Sequence, residues 1–334
     1  MRIRGWMGWL LPVGGLLLVA CGGGRTAPTP TVLASATATV VPTPIPLPTR
    51  TPTATPAPVG VVLAPEGAAP LWRQAAMGAI RALAATQGWK VAEVGVLEQV
   101  PTGARLVLAL PPTNGLAVAQ AWPGMPVVVL EPLPENAPPN LFSLDMSPYT
   151  PERLAFAAGY LAALHAPDYR VGALFLQGDD LEKRVEAFIR GVTYYCGLCR
   201  PAFPPHKSYP VWARLPPEAE PGLWQSAGQA LAQEHGVNLV YVESWPAAQA
   251  LLGAEAPQSW HILGVGPNPS SPGEGHLAAG VDWVGSLQAL WEQGVQQGKV
   301  SSLVPPFVVQ GTTPGHRHWA QQVLQCLWEG RISP

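Results

Sequence analysis

Charge is scarce in this chain. Only 12% of its 334 residues are Asp, Glu, Lys or Arg, and residues 1–58 contain no acidic residue. Basic residues are not in excess either: residues 59–334 carry 15 Lys and Arg against 21 Asp and Glu, close to −6. An acidic body without a basic stripe excludes a nucleic-acid-binding surface and argues against steering toward anionic membranes. Cysteine is equally sparse at four residues, so a small disulfide scaffold is excluded for residues 59–334. Their number can bury a large core, which excludes disorder and suits one large domain or two lobes of about 100–150 residues each.

Long apolar runs are also missing. The apolar stretch 6–20, preceded by Arg2 and Arg4, is too short to span a bilayer comfortably and has the shape of a signal-peptide core. Leu18-Val19-Ala20-Cys21, followed by Gly22-Gly23-Gly24, resembles a bacterial lipobox, in which small residues admit the peptidase to the cysteine that becomes lipidated. Residues 1–20 are expected to be removed and Cys21 to carry acyl chains, palmitate among them. At roughly 0.8 kcal/mol per buried methylene, two or three chains anchor a protein stably to a membrane. What the chain does have is proline, 40 residues in all, and residues 25–58 hold nine prolines and ten threonines. Such a tract favours extended polyproline II at about 3.1 Å per residue, so residues 21–58 read as a lipidated linker reaching roughly 100 Å.

From Val59 onward, short β-branched runs alternate with helical stretches. The runs are Val59-Gly60-Val61-Val62-Leu63, Arg105-Leu106-Val107-Leu108-Ala109-Leu110 and Val127-Val128-Val129-Leu130. Continuous runs of this kind fit strands covered on both faces. A helix over 71–86 places Trp72, Ala76, Ala79, Ile80 and Leu83 on one stripe. The alternation restarts at Val171-Gly172-Ala173-Leu174-Phe175-Leu176, with a helix near 179–194 and strands over 237–242 and 261–265. Between the halves, Thr150 and Pro151 suit the cap and first position of a small-residue helix over 151–164. This pattern predicts an α/β fold of two Rossmann-like lobes with parallel sheets and a cleft between them. Residues 59–148 plus 283–304 are assigned to lobe 1, and 149–282 plus 305–334 to lobe 2. Three crossings would then join the lobes, near 149, 283 and 305.

The lipobox, the linker, the segment Ala157-Ala158-Gly159-Tyr160-Leu161-Ala162-Ala163, the strand Arg170-Val171-Gly172-Ala173-Leu174-Phe175 and the helix Val185-Glu186-Ala187-Phe188-Ile189-Arg190-Gly191-Val192 resemble the basic membrane protein family. These are substrate-binding lipoproteins of ABC transporters. The resemblance implies the type I periplasmic binding fold and, by its better-known members, a nucleoside-like ligand. It also shows departures. Where the family has an aspartate that grips ribose hydroxyls, after Ile262-Leu263-Gly264-Val265, this chain has Gly266. The loop after the first strand, which in the family offers Asp and Asn, reads Ala64-Pro65-Glu66-Gly67-Ala68-Ala69-Pro70-Leu71-Trp72. Losing a buried hydrogen-bonding partner typically costs 1–3 kcal/mol.

Ligand candidates therefore follow from position. Binding proteins of α/β architecture read their ligands beyond the C-terminal ends of parallel strands, with aromatic platforms and a few polar groups. That rule selects Glu66, Trp72, Asn114, Tyr149, Asp179, Trp245 and Asn268. No Gly-x-Ser-x-Gly elbow, phosphate-cradling P-loop or Gly-x-Gly-x-x-Gly turn follows a strand, so no enzyme, cofactor or catalytic residue is expected. His316-Arg317-His318 has no Cys, Asp or Glu beside it to complete a metal site. Outside the lipobox three thiols remain, Cys196, Cys199 and Cys326; a structural Cys196–Cys199 or Cys199–Cys326 bridge is expected rather than a redox centre. The expectation is a monomeric solute-binding lipoprotein, lipid-anchored at the extracytoplasmic face of the cell membrane, that presents a small molecule to an ABC permease. The alternative is a degenerate binding fold acting as an extracellular sensor or interaction module.

Overall fold

The computed structural model describes residues 56–204, 206–253, 261–266 and 276–334. Cys21, the leader and most of the Thr/Pro linker lie outside the described residues. Along the chain come β1 (Val59–Leu63), α1 (Pro70–Gln87), β2 (Lys90–Val94), β3 (Ala104–Ala109), α2 (Gly115–Ala121), β4 (Val127–Val129) and β5 (Leu141–Leu144). A second series follows: α3 (Pro151–His165), β6 (Val171–Leu176), α4 (Leu181–Cys196), β7 (Val211–Leu215), α5 (Pro221–His235), β8 (Leu239–Val242), α6 (Trp245–Gly253), β9 (His261–Val265) and β10 (Leu277–Val281). The chain closes with α7 (Trp283–Ala289), a π-helical turn (Leu290–Gln296), β11 (Ser302–Leu303), β12 (Phe307–Gln310) and α8 (Pro314–Trp328).

The strands form two six-stranded sheets, ordered β11-β5-β4-β3-β1-β2 and β12-β10-β9-β8-β6-β7. Every pairing is parallel except β10 with β12. The continuous apolar runs explain this: β1, β3 and β6 bury residues on both faces, which requires helices above and below. Both sheets belong to one compact unit. The chain passes between them after β5, after β10 and between β11 and β12.

Local signals set the helix ends. Thr150 accepts a hydrogen bond from the Arg153 amide with Pro151 at the first turn, and Thr313 and Asp282 cap α8 and α7 in the same way. Gly88, in the left-handed region at φ 69°, stops α1. The seam between α3 and α4 is made by absence of side chain. A Cβ on Gly159 of α3 would sit 2.1 Å from the Phe188 carbonyl oxygen of α4, and one on Gly191 of α4 would sit 2.1 Å from that of Phe156. Two glycines, one on each helix, let the backbones touch and seat α3 and α4 as a single slab under the second sheet.

Cys196 and Cys199 form a disulfide with Cα atoms 5.0 Å apart at the end of α4, while Cys326 is free and half-buried. Of the two pairings open to the sequence, the nearer one forms, because Cys326 lies on α8. No helix among the described residues is long and apolar enough to cross a membrane.

Candidate functional site

Between the sheets lies a cavity of about 580 Å³, walled by both lobes. From the first come Trp72, Gln74 and Met146; from the second come Leu176, Gln177, Asp180, Arg184, Tyr241, Glu243, Ser244, Val265 and Gly266. The crossings contribute Tyr149 and Trp283. The second lobe's wall is the set of loops after β6, β8 and β9, the C-terminal strand ends where open α/β sheets expose their backbone to ligands.

The aromatic wall is held by its own packing. Trp72 meets Trp283 edge-on, with ring centroids 5.5 Å apart and planes at 72°. Tyr149 stacks on Phe307 at 6.3 Å and contacts the Trp328 ring at 4.9 Å, and its hydroxyl donates to the Pro305 carbonyl. That bond ties the first crossing to the third, so Tyr149 joins two crossings as well as walling the cavity. Burial pushes its phenol up to about 12, with the nearby Asp145 charge adding. Tyr241 is only 3% exposed and lies on the Phe188 ring, with centroids 5.3 Å apart and planes at 19°.

The polar end of the cavity is an ion network on α4 and the ends of β6 and β8. Arg184, 7% exposed, pairs with Glu243 through Nη1, donates Nε to Asp180 Oδ1 at 3.0 Å and donates Nη2 to the Leu176 carbonyl at 3.0 Å. Glu243 also accepts the Leu176 amide at 2.8 Å. Burial raises the Glu243 carboxyl above its ordinary range, with Arg184 pulling in the opposite direction. Burial by itself disfavours the Arg184 charge, but its bonds to Glu243 and Asp180 outweigh that and hold the guanidinium up. Desolvation likewise holds the Tyr241 phenol well above its usual value, reinforced by Glu243 and opposed by Arg184.

The floor is glycine. A Cβ on Gly280 would sit 1.6 Å from the Gly266 carbonyl oxygen, so the ends of β9 and β10 meet with no side chain between them.

Of the residues the sequence singles out, Trp72 and Tyr149 line this cavity. Glu66 is exposed in the turn before α1 and is not among the lining residues. Asn114 is spent as the cap of α2, accepting the Ala117 amide at 3.1 Å. Asp179 is exposed in the turn after β6; the next residue, Asp180, supplies the lining carboxylate. Trp245 opens α6, and Asn268 lies outside the described residues. Sequence reasoning passed over Arg184, Tyr241 and Glu243. A signal existed for two of them. Arg184 falls on the apolar stripe of α4 with Leu181, Val185, Phe188 and Val192, where a charge requires a buried partner. Glu243 stands one residue past the apolar strand Leu239–Val242, at the strand end the positional rule names.

Away from the cavity, His165 Nε2 lies 3.0 Å from the Thr312 hydroxyl, and its ring packs against His316 at 4.8 Å. Burial, with His316 and then His261 adding, lowers its pKa to about 4. Among the described residues no group of three or more His, Cys, Asp or Glu could hold a metal ion.

Two α/β lobes with matching strand order, three crossings and a cavity between them define the type I periplasmic binding fold. No family model and no curated protein sequence matches the chain. Among solved structures it is similar to an ABC transporter solute-binding protein from Aeropyrum pernix K1, with a TM-score of 0.50, 14% identity, and 83% of this chain and 93% of that one covered. A transcriptional activator of the comK gene from Bacillus halodurans gives 0.48 and 16%, covering 83% and 99%. A carbohydrate transporter solute-binding protein from Agrobacterium radiobacter, in complex with D-arabinose, gives 0.42 and 15%, covering 81% and 98%. The likeness at 0.50 shows the fold, which is broader than the basic membrane protein family.

Proposed function

We propose that this chain is the extracytoplasmic solute-binding component of an ABC transporter, tethered to the cell membrane through a lipidated Cys21 and a Thr/Pro linker. A small molecule enters between the lobes, the lobes close about the three crossings, and the closed form is presented to a permease. The observation that carries the reading is the cavity of about 580 Å³ walled by both lobes at the strand ends. An open cavity of that size favours a receptor over a degenerate fold with a filled cleft. Closure stores ligand preference as conformation: a ligand stabilises the closed form only by the difference between its affinities for the two forms.

The nucleoside expectation depends on a carboxylate that Gly266 cannot supply. The test is a thermal-shift screen of the full chain against nucleosides, sugars, small acids and amines. Free ligand at 100 times its Kd adds about 2.7 kcal/mol of stability, a readily measured rise in Tm. A complete lack of hits across such a panel sinks the reading. Globomycin treatment of the expressing cells, which blocks processing at a lipobox cysteine, tests the anchor separately: full-length precursor is expected to accumulate, and a Cys21→Ala chain should leave the membrane fraction.

A further inference from the structure

Building on the solute-binding reading, we infer that the cleft selects an organic cation with an apolar body, in preference to a polyol or an anion. Three observations converge on that class.

The first is a donor and acceptor census. All three guanidinium nitrogens of Arg184 are engaged, by Glu243, Asp180 and the Leu176 carbonyl. Among the described residues, no lysine or histidine lines the cavity. An anion entering the cleft therefore meets one cation whose charge two carboxylates already face. The two carboxylates are only half used: Glu243 binds Arg184 and the Leu176 amide through Oε2, and Asp180 binds Arg184 through Oδ1. Among the described residues, Glu243 Oε1 and Asp180 Oδ2 have no hydrogen-bond partner. Among the described lining residues, two carboxylates against one guanidinium leave one unit of negative charge.

The second is the aromatic wall. Trp72, Tyr149, Tyr241 and Trp283 all line the cavity; Trp72 is the one of them left partly exposed, and a π face attracts a cation, Trp most strongly, in a way that strengthens as water is excluded. Tyr241, 3% exposed, has a hydroxyl with no hydrogen-bond partner among the described residues, an unspent polar atom at the charged end of the cavity. The third is what the floor lacks. Gly266 and Gly280 offer no side chain to a ring of hydroxyls, and the aliphatic and proline residues of the lining outnumber the neutral hydrogen-bonding ones. A polyol would surrender its water shell without replacement; a cation with an apolar body would not.

The experiment is isothermal titration calorimetry on the full chain in detergent with four probes: acetylcholine, its uncharged carbon isostere 3,3-dimethylbutyl acetate, D-ribose and benzoate. Acetylcholine is expected to bind at least about tenfold more tightly than the isostere, with no measurable binding of ribose or benzoate. Asp180→Asn, which removes the more exposed of the two carboxylates, should shrink the ratio of acetylcholine to isostere affinity severalfold, with the variant's denaturation midpoint measured alongside to show that it is folded. Equal affinity for the two isosteres, tighter binding of ribose or benzoate, or silence from acetylcholine overturns the cation inference. These failures are separable from failure of the receptor reading: if the broad screen still yields a neutral or anionic ligand, only the cation inference falls, and if nothing binds at all, both do.

Discussion

The first sheet, with β1 to β5 and β11, and the second, with β6 to β10 and β12, repeat one strand order, yet among the described residues all three charged residues lining the cavity come from the second. The first lobe gives the cavity Trp72, Met146 and a single amide, Gln74. Its buried core is uncharged: apolar side chains such as Leu106, Leu108, Leu110 and Ile80, each at most 1% exposed, with Asn140, Ser143 and Ser286 bonded to backbone carbonyls. The second lobe buries Arg184 as well, and must satisfy it completely. A common scaffold has thus been divided between a lobe that supplies shape and a lobe that supplies charge.

The strongest test of this division removes one charge. Arg184→Met strands Glu243 in a buried site and should cost about 3–5 kcal/mol in denaturant unfolding at neutral pH. Because burial raises the folded-state pKa of Glu243, protonation relieves the stranded charge. The loss should shrink as pH falls through that raised value and grow as pH rises through it. Pairing Arg184→Met with Glu243→Leu should recover most of the stability. In the first lobe, Leu108→Ala should cost a comparable amount, about 2–5 kcal/mol, by leaving a cavity, but without any pH dependence of its own. Equal pH profiles for the two variants would break the comparison.

The next effect belongs to His165. Its folded-state pKa of about 4 lies below the ordinary 6.5, so between these values the unfolded chain binds the extra proton. Stability should fall as pH drops through 6.5, by at most about 1.4 kcal/mol per unit and less for the part of the ring that solvent screens, and level off below about 4. His165→Gln should flatten that slope; an unchanged profile would show that another group titrates. Smaller again is Gly159→Ala, which must push α3 from α4 and should cost about 1–3 kcal/mol, read as a lower denaturation midpoint. Thr150→Ala, losing only the cap of α3, should cost about 1 kcal/mol, and an effect as large as that of Gly159→Ala would mean that the crossing depends on Thr150 for more than a cap.

Much of the fold can be read along the chain. The runs at 59–63, 171–176 and 261–265 are strands with those same bounds, and the stripe of Ala76, Ala79, Ile80 and Leu83 faces the first core. The edge strands are less legible. β2 reads Lys90-Val91-Ala92-Glu93-Val94, with Lys90 and Glu93 exposed, and β7 exposes Trp212 and Arg214. Covered on fewer sides, they lack the continuous apolar run that marks a buried parallel strand. The π-helical turn that continues α7 after Ala289 has no marker in the strand and helix pattern.

The candidate site is legible only in part, and the reason is the range of the forces involved. Periodicity, capping and strand composition act between residues a few positions apart, so the order of strands and helices, and with it two α/β lobes, is present in the sequence itself. The cavity's chemistry is not local. Arg184 and Glu243 are 59 positions apart, and Trp72 and Trp283 are joined across nearly the whole folded body. Whether a carboxylate is solvated like Glu66 and Asp179 or paired and half-buried like Glu243 depends on which strand ends the sheet brings together. Local composition sets the elements and their alternation, whereas the pairing of charges 59 positions apart and the oxygens left free in the cleft arise only when the two sheets are assembled.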